Sequence, residues 1–128
     1  MDSQLQEINI ITETIIGAAI EIHRPLGPGL LESAYEACLA YELADQWLSI
    51  EQQKPLPVVY REVKLDCAYR LDMLVENTVV VEIKSIDAIH PIQKAQLLSY
   101  LKLSGRIVGL LINFNVPKLT DGIVRLVK

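Results

Sequence analysis

The run Arg106–Asn113 constrains the fold more than any other part of the sequence. Between its two polar ends it contains only apolar residues and one glycine. A strand of this composition has to be covered on both faces, as the central strands of α/β proteins are. The sequence therefore predicts a sheet with helices packed on both of its sides.

Three helices are predicted, and they can supply these two layers. Apolar residues recur at intervals of three and four over Leu5–Ile22, which is typical of an amphipathic helix. The segment His23–Gly29, with two prolines and two glycines, is predicted to end it. A second helix is predicted over Leu30–Leu48 and a third over Pro91–Ser104. The predicted core stripe of the second helix is Leu31, Ala34, Cys38 and Tyr41.

Short runs rich in valine, tyrosine and isoleucine predict the remaining strands. They are Val58–Glu62, Tyr69–Val75 and Val79–Lys84, and the tail Leu119–Val127 is predicted as an edge strand or a helical turn. The order is two N-terminal helices, a β-meander, a helix and a strand, which predicts an α/β fold with a mixed sheet. At 128 residues and 51% hydrophobic composition, residues 1–128 are expected to form one domain.

Composition narrows the possible partners and locations. No stretch reaches the roughly 18 uninterrupted apolar residues of a membrane span, so a cytoplasmic protein without a membrane partner is expected. Cys38 and Cys67 lack metal-ligand spacing and are predicted to be reduced and buried, with no zinc site. The net charge of −4 and the pI near 5.1 argue against binding nucleic acid through overall positive charge.

Three charged residues are predicted to converge on one hairpin. If Glu76–Thr78 is a three-residue loop, counting back along both strands places Asp72 opposite Glu82. Directly opposed residues lie on the same face, with Cβ atoms roughly 4.5–5.5 Å apart. Because side chains alternate along a strand, Lys84 shares the face of Glu82.

Two opposed carboxylates repel each other, so a cation between them is one solution. Mg²⁺ prefers one or two carboxylates with waters and a phosphate oxygen, and the backbone carbonyl of Ile83 is a further candidate ligand. Lys84 could then orient or activate an attacking water. The same geometry also fits a second interpretation, a solvated cross-strand charge ladder in which Arg70 lies opposite Lys84.

The spacing of Asp72, then nine residues, then Glu82-Ile83-Lys84 resembles the D…(D/E)xK motif of the PD-(D/E)xK nuclease superfamily. The segment Leu26–Tyr35, with Gly29, Glu32 and Tyr35, resembles the signature of the GxxExxY family within it. Four later segments also resemble successive blocks of that family: Arg70–Asp72, Val81–Lys84, Ala95–Leu101 and Gly109–Phe114.

This resemblance implies a restriction-endonuclease-like core with the acidic hairpin at its centre. It implies that Asp72 and Glu82 are ligands of Mg²⁺ or Mn²⁺ and that Lys84 is the catalytic lysine. It also makes Glu32 a helix-borne acid and candidate metal ligand, and Gln96 a supporting polar residue. From the residues alone, an exposed helix acid is the better explanation of Glu32. An exposed amide face explains Gln96 as well as a role in the site does.

Three functions follow as hypotheses. The first is a metal-dependent nuclease that hydrolyses phosphodiester bonds of DNA, in preference to RNA. The second is a non-catalytic nucleic-acid- or protein-binding module with the nuclease fold, which the acidic charge favours. The third is a small homodimeric domain with an apolar interface, and a homodimer is expected under all three because one such domain offers little surface for a duplex.

Overall fold

The computed structural model describes residues 3–128 of the chain. The helices are α1 (Ser3–Leu26), α2 (Glu32–Asp45) and α3 (Pro91–Ser104), and a 3₁₀ turn spans Leu119–Gly122. The strands are β1 (Ile50–Pro55), β2 (Val58–Tyr60), β3 (Val63–Leu65), β4 (Arg70–Val75), β5 (Val79–Lys84), β6 (Val108–Asn113) and β7 (Ile123–Val127). No helix in this part of the chain has the length and apolar character needed to cross a membrane.

Five strands form the main sheet in the order β1-β4-β5-β6-β7. β5 and β6 are parallel, and the other neighbours are antiparallel. The connection between the parallel strands is α3, as expected for a crossover. Every residue of β6 is buried, so the predicted central strand is confirmed. β2 and β3 form a separate two-stranded sheet.

Helices cover both faces of the main sheet, which confirms the predicted α/β sandwich. α1 and α2 pack on one face, against side chains that include Val81 and Leu110. α3 packs on the other face, against side chains that include Val80 and Leu111. Successive residues of β5 and β6 thus enter different cores, because strand side chains alternate between faces.

The predicted core stripe of α2 is wrong. Leu31 and Tyr41 are 76% and 71% exposed, and the helix instead buries Tyr35, Leu39, Ala40 and Leu43. Tyr35 determines this orientation. Its ring stacks on that of Phe114 with centroids 4.3 Å apart, and its hydroxyl donates a hydrogen bond to the carbonyl of Gly27. Burying Tyr35 gives the core a large aromatic ring whose hydroxyl has a hydrogen-bond partner.

Several element boundaries also differ from prediction. α1 continues through Pro25, because a proline in the last turn removes only one helical hydrogen bond, and the chain leaves the helix at Gly27, which has φ +64°. The predicted strand Val58–Glu62 is cut short by Arg61, whose φ of 56° begins the turn between β2 and β3. The tail is both a 3₁₀ turn and an edge strand. Cys67 is exposed rather than buried.

Candidate functional site

The β4–β5 hairpin has the register that the sequence predicts. Val75 pairs with Val79 across the turn, and the regular ladder continues to Met73 and Val81. Glu76 and Asn77 have φ values of 53° and 52°, the left-handed values that a type I′ turn requires. Counting on from Met73 and Val81 brings the next residues of the two strands, Asp72 and Glu82, face to face.

At that point side chains replace the backbone ladder. The backbone N–H of Asp72 donates to Oε2 of Glu82 over 2.9 Å, and the N–H of Ile83 donates to Oδ2 of Asp72 over 2.8 Å. Asp72 and Glu82, called here the carboxylate pair, therefore lie between the same two strands. Glu82 is only 5% exposed and Asp72 is half-buried.

Burial makes the negative charge of this pair costly. Desolvation, and after it the charge of Asp72, raise the pKa of Glu82 to about 8. Desolvation also raises the pKa of Asp72, against the lowering effect of its hydrogen bond from Ile83. Lys84 lowers both values by its charge, but it does not restore them to normal. The site therefore has room for further positive charge.

The cross-strand charge ladder is not formed. No ion pair within residues 3–128 joins Arg70 or Lys84 to the carboxylate pair. Arg70 instead contacts the backbone carbonyl of Gln53, with its guanidinium 3.4 Å away. Lys84 is half-buried, and its ammonium has no hydrogen-bond partner in the described chain. Its charge acts on the carboxylates from beyond ion-pair distance.

Glu32 lies at the end of β5 and does not join the carboxylate pair. Its Oε2 accepts a hydrogen bond from the backbone N–H of Ser85 over 3.1 Å, and its side chain is exposed. Ser85 in turn donates its hydroxyl proton to the carbonyl of Leu30 over 2.7 Å. The described residues contain no group of three acids, histidines or cysteines placed to hold a metal ion. Glu32 is thus hydrogen-bonded to the residue that follows Lys84, and no hydrogen bond joins it to the carboxylate pair within residues 3–128.

A second helix acid, Glu36, does reach the pair, and the sequence analysis missed it. Its carboxylate accepts hydrogen bonds from the side-chain amides of Gln52 and Gln53, over 2.9 and 2.8 Å. The amide of Gln53 also lies 3.4 Å from Oδ1 of Asp72. The charge of Glu36 raises the pKa of both members of the pair. The available signal was its position one turn after Glu32 on the same helix face.

Gln96 reaches the site through Tyr100. The Gln96 amide donates to the Tyr100 hydroxyl over 3.0 Å, and both side chains project from α3. Burial raises the pKa of Tyr100, and the charge of Glu82 is the next largest cause. Tyr100 is therefore close to the carboxylate pair, and Gln96 orients its hydroxyl.

The donor atoms of the pair suit a magnesium ion. Oε1 of Glu82 accepts no hydrogen bond from residues 3–128, and Oδ1 of Asp72 has only the 3.4 Å contact with Gln53. The carbonyl of Lys84 accepts a hydrogen bond from the N–H of Phe114, on the side of β6. Successive carbonyls of a strand point to opposite sides, so the carbonyl of Ile83 points toward β4. Two carboxylates and a carbonyl are an ordinary protein contribution to Mg²⁺, which keeps several waters.

The chain was also compared with models of known protein families. A family model described as the PD-(D/E)XK nuclease superfamily matches residues 9–126, which is nearly the whole chain. Comparisons with curated proteins and with solved structures returned no significant match.

Proposed function

Because the chain belongs to the PD-(D/E)XK nuclease superfamily, we propose that it is a nuclease that hydrolyses phosphodiester bonds with Mg²⁺ or Mn²⁺. The observation that carries the proposal is the buried carboxylate pair of Asp72 and Glu82, with the free ammonium of Lys84 nearby. Buried like charges destabilise a protein unless they are compensated. A bound cation would compensate the negative charge of the pair, so a cation-binding site explains why both acids are present.

The roles follow from the atoms that remain available. Glu82 Oε1, Asp72 Oδ1 and the carbonyl of Ile83 would hold the metal ion. A bound Mg²⁺ would neutralise charge on the scissile phosphate and help to deprotonate the attacking water. Lys84 supplies positive charge beside the phosphate and orients the water.

Residues around the pair would act by positioning. Glu36 and Gln53 restrain Asp72, and the charge of Glu36 increases the attraction for cations. Gln96 holds Tyr100 near Glu82. We propose Glu32 as a local support for the strand end at Ser85, close to the catalytic lysine.

The test is a cleavage assay on single- and double-stranded DNA and RNA with Mg²⁺, Mn²⁺ or EDTA. Wild-type protein should cleave at least one substrate, and EDTA should abolish the reaction. Asp72→Ala and Lys84→Ala should each lower the rate by roughly 10²–10³-fold, whereas Glu21→Ala, which changes an exposed acid far along α1, should leave it unchanged. Cleavage that survives both site substitutions would overturn the mechanism.

The alternative is a non-catalytic binding module that has kept the nuclease fold. The acidic net charge of −4 favours it, since most nucleic-acid enzymes carry a positive surface. Under this alternative the protein would bind a partner without cleaving any nucleic acid, and Lys84→Ala would leave binding unchanged.

Three finer predictions belong to the same proposal. DNA is preferred to RNA because the resemblance is to restriction-endonuclease-like proteins. A homodimer would enlarge the small surface that a 128-residue chain offers. A cytoplasmic location fits Cys38 and Cys67, which are free thiols in the structure.

A further inference from the structure

The small β2–β3 sheet, called here the exposed hairpin, has a surface that core packing does not explain. Val59, Tyr60 and Val63 are each more than half exposed, and every residue from 59 to 70 is classed as exposed. Single exposed apolar residues are normal on a protein surface. A contiguous group of them indicates an interaction site.

The base of the exposed hairpin is fixed close to the carboxylate pair. Leu56 is buried in the core under α3, and its N–H donates to the carbonyl of Tyr69 over 2.8 Å. Tyr69 precedes Asp72 by three residues. Its ring is 46% exposed and lies 6.1 Å from that of Tyr100, which is near enough to Glu82 to be affected by its charge. A half-exposed aromatic ring therefore borders the site.

The same segment is locally basic in an acidic chain. Between Lys54 and Arg70 there are four basic and two acidic residues, whereas the whole chain carries −4. The guanidinium of Arg61 lies 5.4 Å from the centroid of the Tyr60 ring, so a cation and an aromatic face are presented together. Positive charge interleaved with exposed aromatic rings is the usual composition of surfaces that bind single-stranded nucleic acid.

We propose that Tyr69 and the exposed hairpin form a stacking surface for unpaired bases, so that the substrate is single-stranded nucleic acid whose backbone enters the site beside Tyr69. This inference rests on the proposed function, since it names the substrate class of the same site. Base stacking requires an open base face, which a continuous duplex covers. Few basic side chains are needed, because stacking supplies much of the affinity.

Binding is measured without cleavage, in EDTA, with a fluorescent 12-mer of dT, a 12-mer of U and a 12-base-pair DNA duplex. Wild-type protein should bind both single strands more tightly than the duplex. Tyr69→Ala should weaken single-strand binding by roughly fivefold to a hundredfold, the range for loss of one base stack. Tyr69→Trp should retain it. Tyr41→Ala, which removes from α2 a tyrosine that is more exposed than Tyr69, should bind as wild type does.

Each result decides between the proposals. Tyr69→Ala binding that equals wild type, with its melting temperature unchanged, would overturn the stacking surface, as would tighter binding of the duplex by wild-type protein. Single-strand binding that depends on Tyr69 without any metal-dependent cleavage would leave the stacking surface standing and refute the nuclease. Cleavage of duplex alone, independent of Tyr69, would support the nuclease and refute the stacking surface.

Discussion

The two hairpins of this protein differ in which unfavourable arrangement they contain: one buries charged groups, and the other exposes apolar side chains. The β4–β5 hairpin buries two carboxylates in the central sheet, and the exposed hairpin presents valine and tyrosine to solvent. Burying charge and exposing apolar side chains both cost free energy. The buried carboxylates and the exposed apolar side chains lie next to each other in the structure, because Tyr69 and β4 connect the two hairpins. Sites of function are where such departures are expected.

The largest effect is expected from equal substitutions in the two hairpins. Val81→Asp places an unpaired charge in the core under α1 and α2, and should lower the free energy of unfolding by about 4 kcal/mol or more. Val59→Asp in the exposed hairpin should change it by about 0.5 kcal/mol or less. Urea denaturation measures both. Equal losses would show that the exposed hairpin is part of the cooperative core.

Substitutions in the carboxylate pair should change both activity and stability, whereas substitution of Lys84 should change activity alone. Substitution of Asp72, Glu82 or Lys84 by alanine should lower the rate of metal-dependent cleavage by roughly 10²–10³-fold. Asp72→Ala also removes the acceptor of the Ile83 hydrogen bond, so it should change stability as well as rate. Lys84→Ala should lower the rate with a melting temperature close to that of wild type, because its ammonium has no partner within residues 3–128. Equal melting-temperature losses in both variants would contradict this.

The buried pair should make stability depend on pH in metal-free protein. In the folded state the pKa of Glu82 is about 8, whereas in the unfolded state it has the ordinary glutamate pKa of 4.5. Between these values the folded state binds more protons, so the free energy of unfolding should fall by a few kcal/mol as the pH rises. Asp72, whose pKa is also raised, adds in the same direction.

The measurement is urea unfolding in EDTA at pH 5, 6.5 and 8. Glu82→Gln should remove most of the slope, because the amide does not titrate, and the control change Glu13→Gln at an exposed position of α1 should preserve it. Stability that rises with pH in wild-type protein would refute the assigned direction.

The smallest effect is expected at Gln53 in β1. Its φ of 51° is left-handed, and it is unpaired between the pairs Gln52–Met73 and Lys54–Leu71, which keep one register. Gln53→Gly relieves this conformation but loses the contacts with Glu36 and Asp72, so stability should change by about 1 kcal/mol or less while cleavage slows. Gln52→Gly, which loses a contact with Glu36 but none with Asp72, should destabilise by about 1 kcal/mol. Unchanged cleavage in Gln53→Gly would remove its positioning role.

The sequence predicted those features that depend on local pattern. The register of the β4–β5 hairpin followed from Glu76–Thr78 and the flanking valines, and it placed Asp72 opposite Glu82 correctly. The central strand followed from its apolar composition. Both are set by short-range spacing, which a single sequence displays.

Features that depend on packing between distant segments were not predictable. The face of α2 is set by Tyr35 stacking on Phe114, 79 residues later in the chain, and this contact also directs Glu36 toward β1. Gln53 reaches Asp72 only because β1 pairs with β4 across the intervening hairpin. Composition likewise gave no sign that Val59 and Tyr60 would remain exposed.

The hydrogen bonds between the carboxylate pair and the backbone affect which residues evolution should conserve. Because Asp72 and Glu82 stand in for rungs of the sheet, a descendant that lost all chemistry would still be under pressure to keep both acids. Lys84 replaces no hydrogen bond of the sheet, because its ammonium makes no hydrogen bond or ion pair within residues 3–128. Retention or loss of the lysine should therefore distinguish catalytically active family members from inactive ones better than retention of the two acids does.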